Sequence, residues 1–137
     1  MILNALLEFF ESCPYIADRK VSVNYLGHTA NCASLEAMGE YSVIKKYYDG
    51  KGVYSQDFAF SIRCGFDGNV ALNLRDSELM ERLCLWIEQQ NAIGNMPCLA
   101  DGYSALKLKI IKMPYLYESS VQGARMQIEF SLIYKEV

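Results

Sequence analysis

The stretch from Val53 to Asn91 changes its hydrophobic period from that of a strand to that of a helix, and this change constrains the fold most. Apolar side chains first alternate with polar or small ones: Phe58, Phe60, Ile62, Cys64 and Phe66. This period of two predicts a half-buried strand. After the turn signal Asp67-Gly68-Asn69, apolar residues follow a helical period: Leu79, Met80, Leu83, Cys84, Trp86 and Ile87. We expect a helix from Asp76 to Gln90 that packs its Trp86 stripe on a sheet, with Asp76 as N-cap.

The first residues predict another amphipathic helix. Apolar side chains recur at helical spacing between Met1 and Phe10: Ile2, Leu3, Leu6, Leu7 and Phe10. Pro14 would end this helix. Its polar face carries Glu8 and Glu11, whereas helices that lie on membranes place basic residues there. The stretch also lacks a basic leader region and about 20 consecutive apolar residues, so we expect neither a targeting segment nor a membrane span.

Two neighbouring runs in the first half predict a β-hairpin. Tyr41 to Tyr48 and Val53 to Phe66 are rich in β-forming residues. They flank Asp49-Gly50-Lys51-Gly52, where both glycines accept the positive φ that hairpin turns require. Lys45 and Lys46 would point to opposite faces of the first strand, which favours a place at the edge of the sheet.

Further strands are expected at both ends of the chain. A short one covers Val21 to Tyr25, and two long ones cover Ser104 to Lys112 and Gly123 to Lys135. The last two predict a long antiparallel hairpin whose lysines match Glu129 on the outer face. Its tip would be a loop from Met113 to Gln122. The inward side chains of its first strand would be Leu106, Leu108 and Ile110.

These elements predict an α+β fold in a single domain that spans residues 1–137. The sheet would be antiparallel or mixed, with the two amphipathic helices on one face, because both apolar stripes then meet the apolar face of the strands. A hydrophobic content of 52% with three prolines is ample for one packed core in a chain of this length.

Charge and cysteine content exclude some classes of protein. A net charge of −3 and a pI near 5.1 provide no basic surface for sequence-specific nucleic-acid binding. The five cysteines are odd in number and form no CxxC motif: Cys13, Cys32, Cys64, Cys84 and Cys98. This pattern favours reduced, buried thiols over a disulfide framework.

Few residues suggest chemistry. His28 is the one histidine, so a histidine-based metal site or a catalytic triad would depend on a residue in an expected turn. Gly65-Phe66-Asp67-Gly68 is no phosphate loop, because no lysine follows it and Asp76 would repel a phosphate. The acidic residues are scattered, which leaves a distant carboxylate pair open. We expect no catalysis, no metal and no cofactor.

The ten tyrosines exceed what the core of so small a domain requires, and several lie at expected hairpin ends or in loops. Protein interfaces are enriched in tyrosine. Tyrosines that cap strand ends with a hydrated hydroxyl are the alternative. The loop from Met113 to Gln122 is too long for a tight hairpin. We therefore predict contact with other chains through a set of hairpin residues: Tyr47, Tyr48, Tyr115, Leu116 and Tyr117.

The order of these elements resembles that of the tail-terminator proteins of tailed bacteriophages, and the sequence is similar to the tail-completion or "minor capsid" proteins of Gram-positive prophages. The resemblance spans nearly the whole chain. It is carried by the helix from Met1 to Phe10, by residues 57–63 (DFAFSIR) before the Trp86 helix, by residues 113–116 (MPYL) and by residues 126–132 (MQIEFSL).

This resemblance implies a homo-oligomeric ring, commonly of six subunits, that caps the tail tube and joins it to the neck below the capsid. The implied partners are the tail tube protein and a neck or head-completion protein, with DNA passing through the lumen without sequence-specific contacts. The implied location is the virion, after assembly in the cytoplasm of the bacterial host. Such a family brings no catalytic residues.

Two classes of function follow from the sequence. One is an assembly protein that ends tube growth and offers another surface to the neck. The other is a small α+β enzyme or ligand-binding domain whose site is built from dispersed residues. An isolated ring favours the first class, and a deep pocket with shifted carboxylates favours the second.

Overall fold

The fold is built on one mixed β-sheet with two helices on one of its faces, as expected from the sequence. The computed structural model describes the backbone of residues 2–15, 20–23, 32–64, 70–120 and 123–137, and the side chains of residues 2–15, 21, 33–62, 78–113 and 126–137. The elements in these ranges are α1 (Ile2–Glu11), β1 (Lys20–Val23), β2 (Cys32–Ala37), β3 (Ser42–Lys46), β4 (Gly52–Cys64), α2 (Val70–Ile93), β5 (Tyr103–Ser120) and β6 (Gly123–Glu136).

The antiparallel pair β4 and β6 forms the centre of the sheet. Its register runs from Val53 opposite Lys135 to Cys64 opposite Ala124. The sheet order is β1-β2-β4-β6-β5, and among these described strands the parallel pair is β1 and β2. β3 also pairs with β4, beyond the end of β2. The predicted hairpin between β3 and β4 is therefore confirmed, and the segment around β1 is a strand over Lys20–Val23.

Apolar side chains alternate along β4 and β6, and they form the core on the face of the sheet that the helices cover. Phe58 lies opposite Phe130 and Phe60 lies opposite Ile128, and all four side chains are fully buried. Because side chains alternate between the two faces of a strand, this parity also carries Ile62 to the helix side. Both predicted strand faces are confirmed.

Helix α1 inserts two phenylalanines between the sheet and the other helix. The Phe10 ring stacks on Phe60 with centroids 5.0 Å apart and lies 5.4 Å from Phe130. Phe9, which lies outside the predicted apolar stripe, is also buried and lies 4.9 Å from the ring of Trp86. The two helices thus meet through aromatic contacts above the same strands.

Helix α2 ends in a hydrogen-bonded cap. Gly94 has a φ of +75°, and its N–H donates to Asn91 O over 3.3 Å. The N–H of Asn95 donates to Gln90 O over 3.0 Å. These two bonds form the Schellman motif, in which glycine accepts the positive φ without steric cost.

The beginning of α2 differs from the prediction. The helix starts at Val70, so Asp76 lies inside it and is not its N-cap. The apolar run of residues 70–74 (VALNL) extends the helix, and an interior aspartate costs only about 0.7 kcal/mol relative to alanine. The predicted turn at residues 67–69 lies outside the described residues.

The terminal hairpin also differs from the prediction. β5 continues to Ser120, which lies opposite Gly123, so residues 113–120 form a strand and not a loop. Register shifts interrupt the pairing, including one between Lys112 and Tyr115 that spans Pro114. A bulge accommodates a residue that has no N–H to donate. Leu106 lies at another shift and is 45% exposed, so its predicted inward position is wrong.

The face opposite the helices is polar. Ser34 and Ser61 are fully buried there, and the Ser61 hydroxyl donates to Gln127 Oε1 over 2.9 Å. Lys112 Nζ lies 3.3 Å from Glu129 Oε2, which confirms the predicted match between lysines and Glu129 on the outer face. The lysine is largely exposed, so the pair contributes at most about 1 kcal/mol.

Asn91 joins helix α2 to the backbone of β5. Its Nδ2 donates to Leu108 O over 2.7 Å, and its Oδ1 accepts from the Leu108 N–H over 3.0 Å. A single amide therefore satisfies both backbone groups of one residue on the outermost strand. These groups would otherwise need water or another chain.

We expect Trp86→Ala to lower the free energy of unfolding by about 3 to 5 kcal/mol, as large core truncations do. Trp86 is only 7% exposed and contacts both phenylalanines of α1. Denaturant unfolding measures the loss. Leu85→Ala is the matched control because Leu85 is 59% exposed in the same turn. An unfolding midpoint of Trp86→Ala close to that of the wild type would refute this packing.

We expect Asn91→Ala to lower the free energy of unfolding by about 2 kcal/mol, because two hydrogen bonds are lost and both Leu108 backbone groups lose their partner. Hydrogen exchange of the Leu108 amide should become faster in the same variant. Gln89→Ala, at an exposed position of α2, is the control. Unchanged protection of the Leu108 amide would contradict the role of this side chain.

Candidate functional site

The predicted interface tyrosines of the first hairpin are exposed. Tyr47 is 50% exposed and Tyr48 is fully exposed, at the turn between β3 and β4. The turn is closed by bonds from Tyr47 N to Lys51 O over 2.8 Å and from Gly50 N to Tyr47 O over 3.0 Å. Lys45 Nζ lies 5.0 Å from the centroid of the Tyr47 ring, within the range of a cation–π contact.

The other predicted interface residues lie far from this turn. Tyr115, Leu116 and Tyr117 belong to β5, where Tyr115 lies opposite Gln127 and Leu116 lies opposite Met126. Met126 in turn lies opposite Ile62, whereas the hairpin turn precedes Val53. At about 3.3 Å per residue the two groups are roughly 30 Å apart along the strands. They therefore belong to two different surfaces.

Strand β3 and its turn, residues 42–51, form a surface that we call the β3 arm. Every residue of β3 is exposed, including Val43 at 51% and Ile44 at 55%. The arm carries three lysines and one aspartate: Lys45, Lys46, Lys51 and Asp49. Exposed apolar residues with a polar rim are typical of contact surfaces, and the lysines make this rim mainly basic. The predicted edge position of Lys45 and Lys46 is confirmed.

A second exposed apolar surface lies between α2 and β5, and we call it the α2 groove. It is a cavity of about 250 Å³ lined by Glu81, Cys84, Leu85, Glu88 and Met113. Leu85 and Met113 are 59% and 60% exposed. Burial, with Glu88 and Glu81 nearby, raises the pKa of Cys84 to about 11, so this thiol is protonated and unreactive at neutral pH.

The arm and the groove lie on opposite sides of the domain. β3 flanks β4 on the side away from β6, whereas α2 packs on β5 and β6. The described exposed charges of α2 are three glutamates and one arginine: Glu78, Glu81, Glu88 and Arg82. A basic apolar arm and an acidic apolar groove are complementary in both charge and character.

A third feature is a cavity of about 280 Å³ at the end of the sheet near the start of α1. Its described lining includes four tyrosines, with Ile2, Gln56, Leu99 and Ala100: Tyr41, Tyr54, Tyr103 and Tyr134. Neighbouring rings contact one another, with centroids 5.4 Å apart for Tyr41 and Tyr54, 5.5 Å for Tyr54 and Tyr134, and 6.0 Å for Tyr103 and Tyr134. We call it the tyrosine cavity.

Tyr54 is held in place by a carboxylate and a glycine. Its hydroxyl donates to Glu136 Oε1. A Cβ at Gly52 would lie 3.0 Å from the Tyr54 Cζ and hydroxyl oxygen and 3.2 Å from Lys45 O, so a larger residue there would displace the ring. The hydrogen bond to Glu136, followed by burial, raises the pKa of Tyr54 to about 12. Burial also raises the pKa of Tyr134.

Sequence reasoning missed this cavity although the signal was present. Tyr54 and Tyr134 have the same parity as the core residues of their strands, and they lie opposite each other once β4 pairs with β6. Residues 99–100 complete the lining at the end of the sheet. Hydrophobic periodicity does not predict the position of such a loop.

In the part of the chain that the structure describes, no group of three or more His, Cys, Asp or Glu side chains is placed to share a metal ion. The cysteines described there, Cys13, Cys84 and Cys98, are free thiols. His28 and residues 65–68 lie outside the described residues. Neither α1 nor α2 combines the length and apolar character that a membrane crossing needs.

Comparison of the sequence with protein-family models and with curated proteins gave no match. The candidate surfaces therefore have to be judged on their geometry and chemistry alone.

We expect the free energy of unfolding to fall between pH 10 and 12 in part through Tyr54. Its pKa is about 12 in the folded chain, against 10.0 ordinarily. The folded state therefore holds this proton more tightly, and that stabilisation is complete below pH 10 and lost as the pH rises through 12. Tyr54→Phe should be less stable at neutral pH, and the difference from wild type should shrink above pH 10. A constant difference up to pH 12, measured by denaturant unfolding, would contradict this account.

Proposed function

We propose that this chain is a structural assembly protein of a tailed bacteriophage or a phage-tail-like particle. In this role it forms a ring that caps the tail tube and joins the tube to the neck. The observation that carries the proposal is the presence of two complementary surfaces, the β3 arm and the α2 groove, on opposite sides of one domain.

A contact between the arm of one copy and the groove of the next is heterologous, because two different surfaces meet. Heterologous contacts generate closed rings when the rotation between copies closes on itself. Val43 and Ile44 of the arm would cover Leu85 and Met113 of the groove, and the lysines of the arm would face Glu81 and Glu88.

The magnitudes favour a closed ring over a dimer. Burying four or five apolar side chains contributes at most about 1.5 to 3 kcal/mol each, and the arm and groove residues are already partly covered. Association costs about 4 to 15 kcal/mol in lost freedom of motion. A single contact is therefore weak, whereas closing a ring adds one more contact without a further loss of this kind.

The remaining predicted contacts fit the tube and neck. Tyr115, Leu116 and Tyr117 lie on β5, which among the described strands pairs with β6, and we propose that the other edge of this segment receives a tube or neck protein. Tyr48, a fully exposed residue of the arm, extends the subunit contact. Six subunits, as the family resemblance implies, remain the expected number.

DNA would pass through the lumen of this ring without specific contacts. A net charge of −3 suits that role, because a basic lining would bind phosphates and slow the passage of DNA. The tyrosine cavity supports a second function, the binding of a small ligand, which does not depend on the ring.

We expect two single substitutions to break the ring at different surfaces. Ile44→Asp places a charge in the arm, and Leu85→Asp places one in the groove next to Glu81 and Glu88. Each variant alone should be monomeric in sedimentation velocity and show no rings in electron microscopy. Mixed together, they should form a 1:1 dimer that grows no further, because one intact arm and one intact groove remain.

Tyr15→Asp is the control, since Tyr15 is an exposed aromatic outside both surfaces and its variant should assemble like the wild type. Rings formed by either surface variant alone, or a mixture that stays monomeric even at concentrations far above those at which the wild type assembles, would contradict the heterologous contact. Tyr115→Ser with Tyr117→Ser should keep the ring and lose binding to tube or neck proteins.

A further inference from the structure

We propose that the tyrosine cavity binds a small organic cation, an alkylammonium or guanidinium group. The aromatic rings, the carboxylate beside them and the size of the cavity each point to this class of ligand. The proposal holds whether or not the chain assembles into a ring.

The rings provide the aromatic part of the site. Tyr41, Tyr54, Tyr134 and Tyr103 form a continuous series in which each ring contacts the next within 6.0 Å. The faces of aromatic rings attract cations that approach within about 6 Å, and such clusters hold quaternary ammonium groups. Tyr54 and Tyr134 are buried, whereas Tyr41 and Tyr103 are 58% and 39% exposed, so the inner rings are fixed and the outer ones border the entrance.

The charged group beside the rings is a carboxylate, that of Glu136. Glu136 accepts a hydrogen bond from Tyr54 and lies opposite Tyr103 across β5 and β6. The described lining contains no basic side chain. The start of α1 reaches the cavity through Ile2 and carries about half a positive charge. A full carboxylate outweighs that half charge, so a cation is favoured over an anion.

The dimensions select a small group. At about 280 Å³ the cavity lies just below the usual range of small-molecule sites, about 300 to 1,000 Å³. A trimethylammonium group or the end of a lysine or arginine side chain has the appropriate size. Ile2, Leu99 and Ala100 would contact the alkyl part of such a ligand.

The shape of the cavity depends on Gly52. The Tyr54 phenol lies so close to this residue that a methyl group there would meet it at 3.0 Å. The ring therefore occupies its position beside Glu136 only because position 52 lacks a side chain. Gly52→Ala should displace the ring and weaken the binding of a cation.

Choline and its neutral carbon analogue, 3,3-dimethyl-1-butanol, test the proposal directly because they share shape and differ in charge. Titration of each into the chain at constant ionic strength is followed by the NMR signals of carbon-labelled tyrosine rings. We expect choline to bind about tenfold more tightly, which corresponds to about 1.4 kcal/mol of cation–π and charge attraction. Methylguanidinium should compete with choline.

Three variants locate the site. Glu136→Gln keeps an oxygen that accepts from Tyr54 and removes the charge, so choline affinity should fall about tenfold while the neutral analogue is unaffected. Tyr103→Leu removes one partly exposed ring and should weaken choline similarly. Tyr15→Leu, at an exposed tyrosine outside the cavity, should leave both affinities unchanged. Backbone NMR spectra verify that each variant is folded.

Protein concentration separates the two sources of such a cation. If choline binds more weakly at protein concentrations where the chain self-associates, the occupant is a lysine or arginine of a second copy. Equal affinity at all concentrations identifies a free amine. Equal binding of choline and 3,3-dimethyl-1-butanol, tighter binding of inorganic phosphate, or no shift of the Tyr54 and Tyr134 signals at all would overturn the proposal.

Discussion

The contact between Phe9 and Phe10 of α1 and Trp86 of α2 is the interaction on which the rest of the fold depends. The two helices are far apart in the chain, and these aromatic side chains join them above β4 and β6. Truncation of a single buried phenylalanine or tryptophan costs about 3 to 5 kcal/mol, which is a large part of the stability of a small domain. The arm, the groove and the tyrosine cavity all lie at the margins of this cluster.

The sequence predicts well the features that depend on periodicity. Alternation along β4 and β6 identified the buried face, and helical spacing identified the Trp86 stripe before any pairing was known. It predicts poorly the features that depend on competition between neighbours. Asp76 has the character of an N-cap, but the apolar residues from Val70 onward extend the helix past it. The bulges that place Leu106 outside and carry β5 past Pro114 arise from pairing with β6.

Among the candidate surfaces, too, some features are predictable from local sequence and others depend on tertiary packing. Tyr47 and Tyr48 directly precede a recognisable hairpin turn, so their exposure was predictable from local residues. The α2 groove and the tyrosine cavity combine side chains from distant segments, such as Leu85 with Met113 and Tyr54 with Leu99. Their composition depends on strand register and on how α2 lies against β5. These quantities are set by tertiary packing, which a hydrophobic pattern does not specify.

Cys84 lies on the buried side of α2, and the chemical reactivity of its thiol is therefore a measure of local motion. Cys84 borders the α2 groove but is only 2% exposed, and its pKa is raised, so a thiol reagent reaches the sulfur only when α2 or the side chains around the groove shift. Cys98 is exposed and supplies the reaction rate of an accessible thiol in the same molecule. The ratio of the two rates therefore reports how often this region opens in the folded state, without any engineered label.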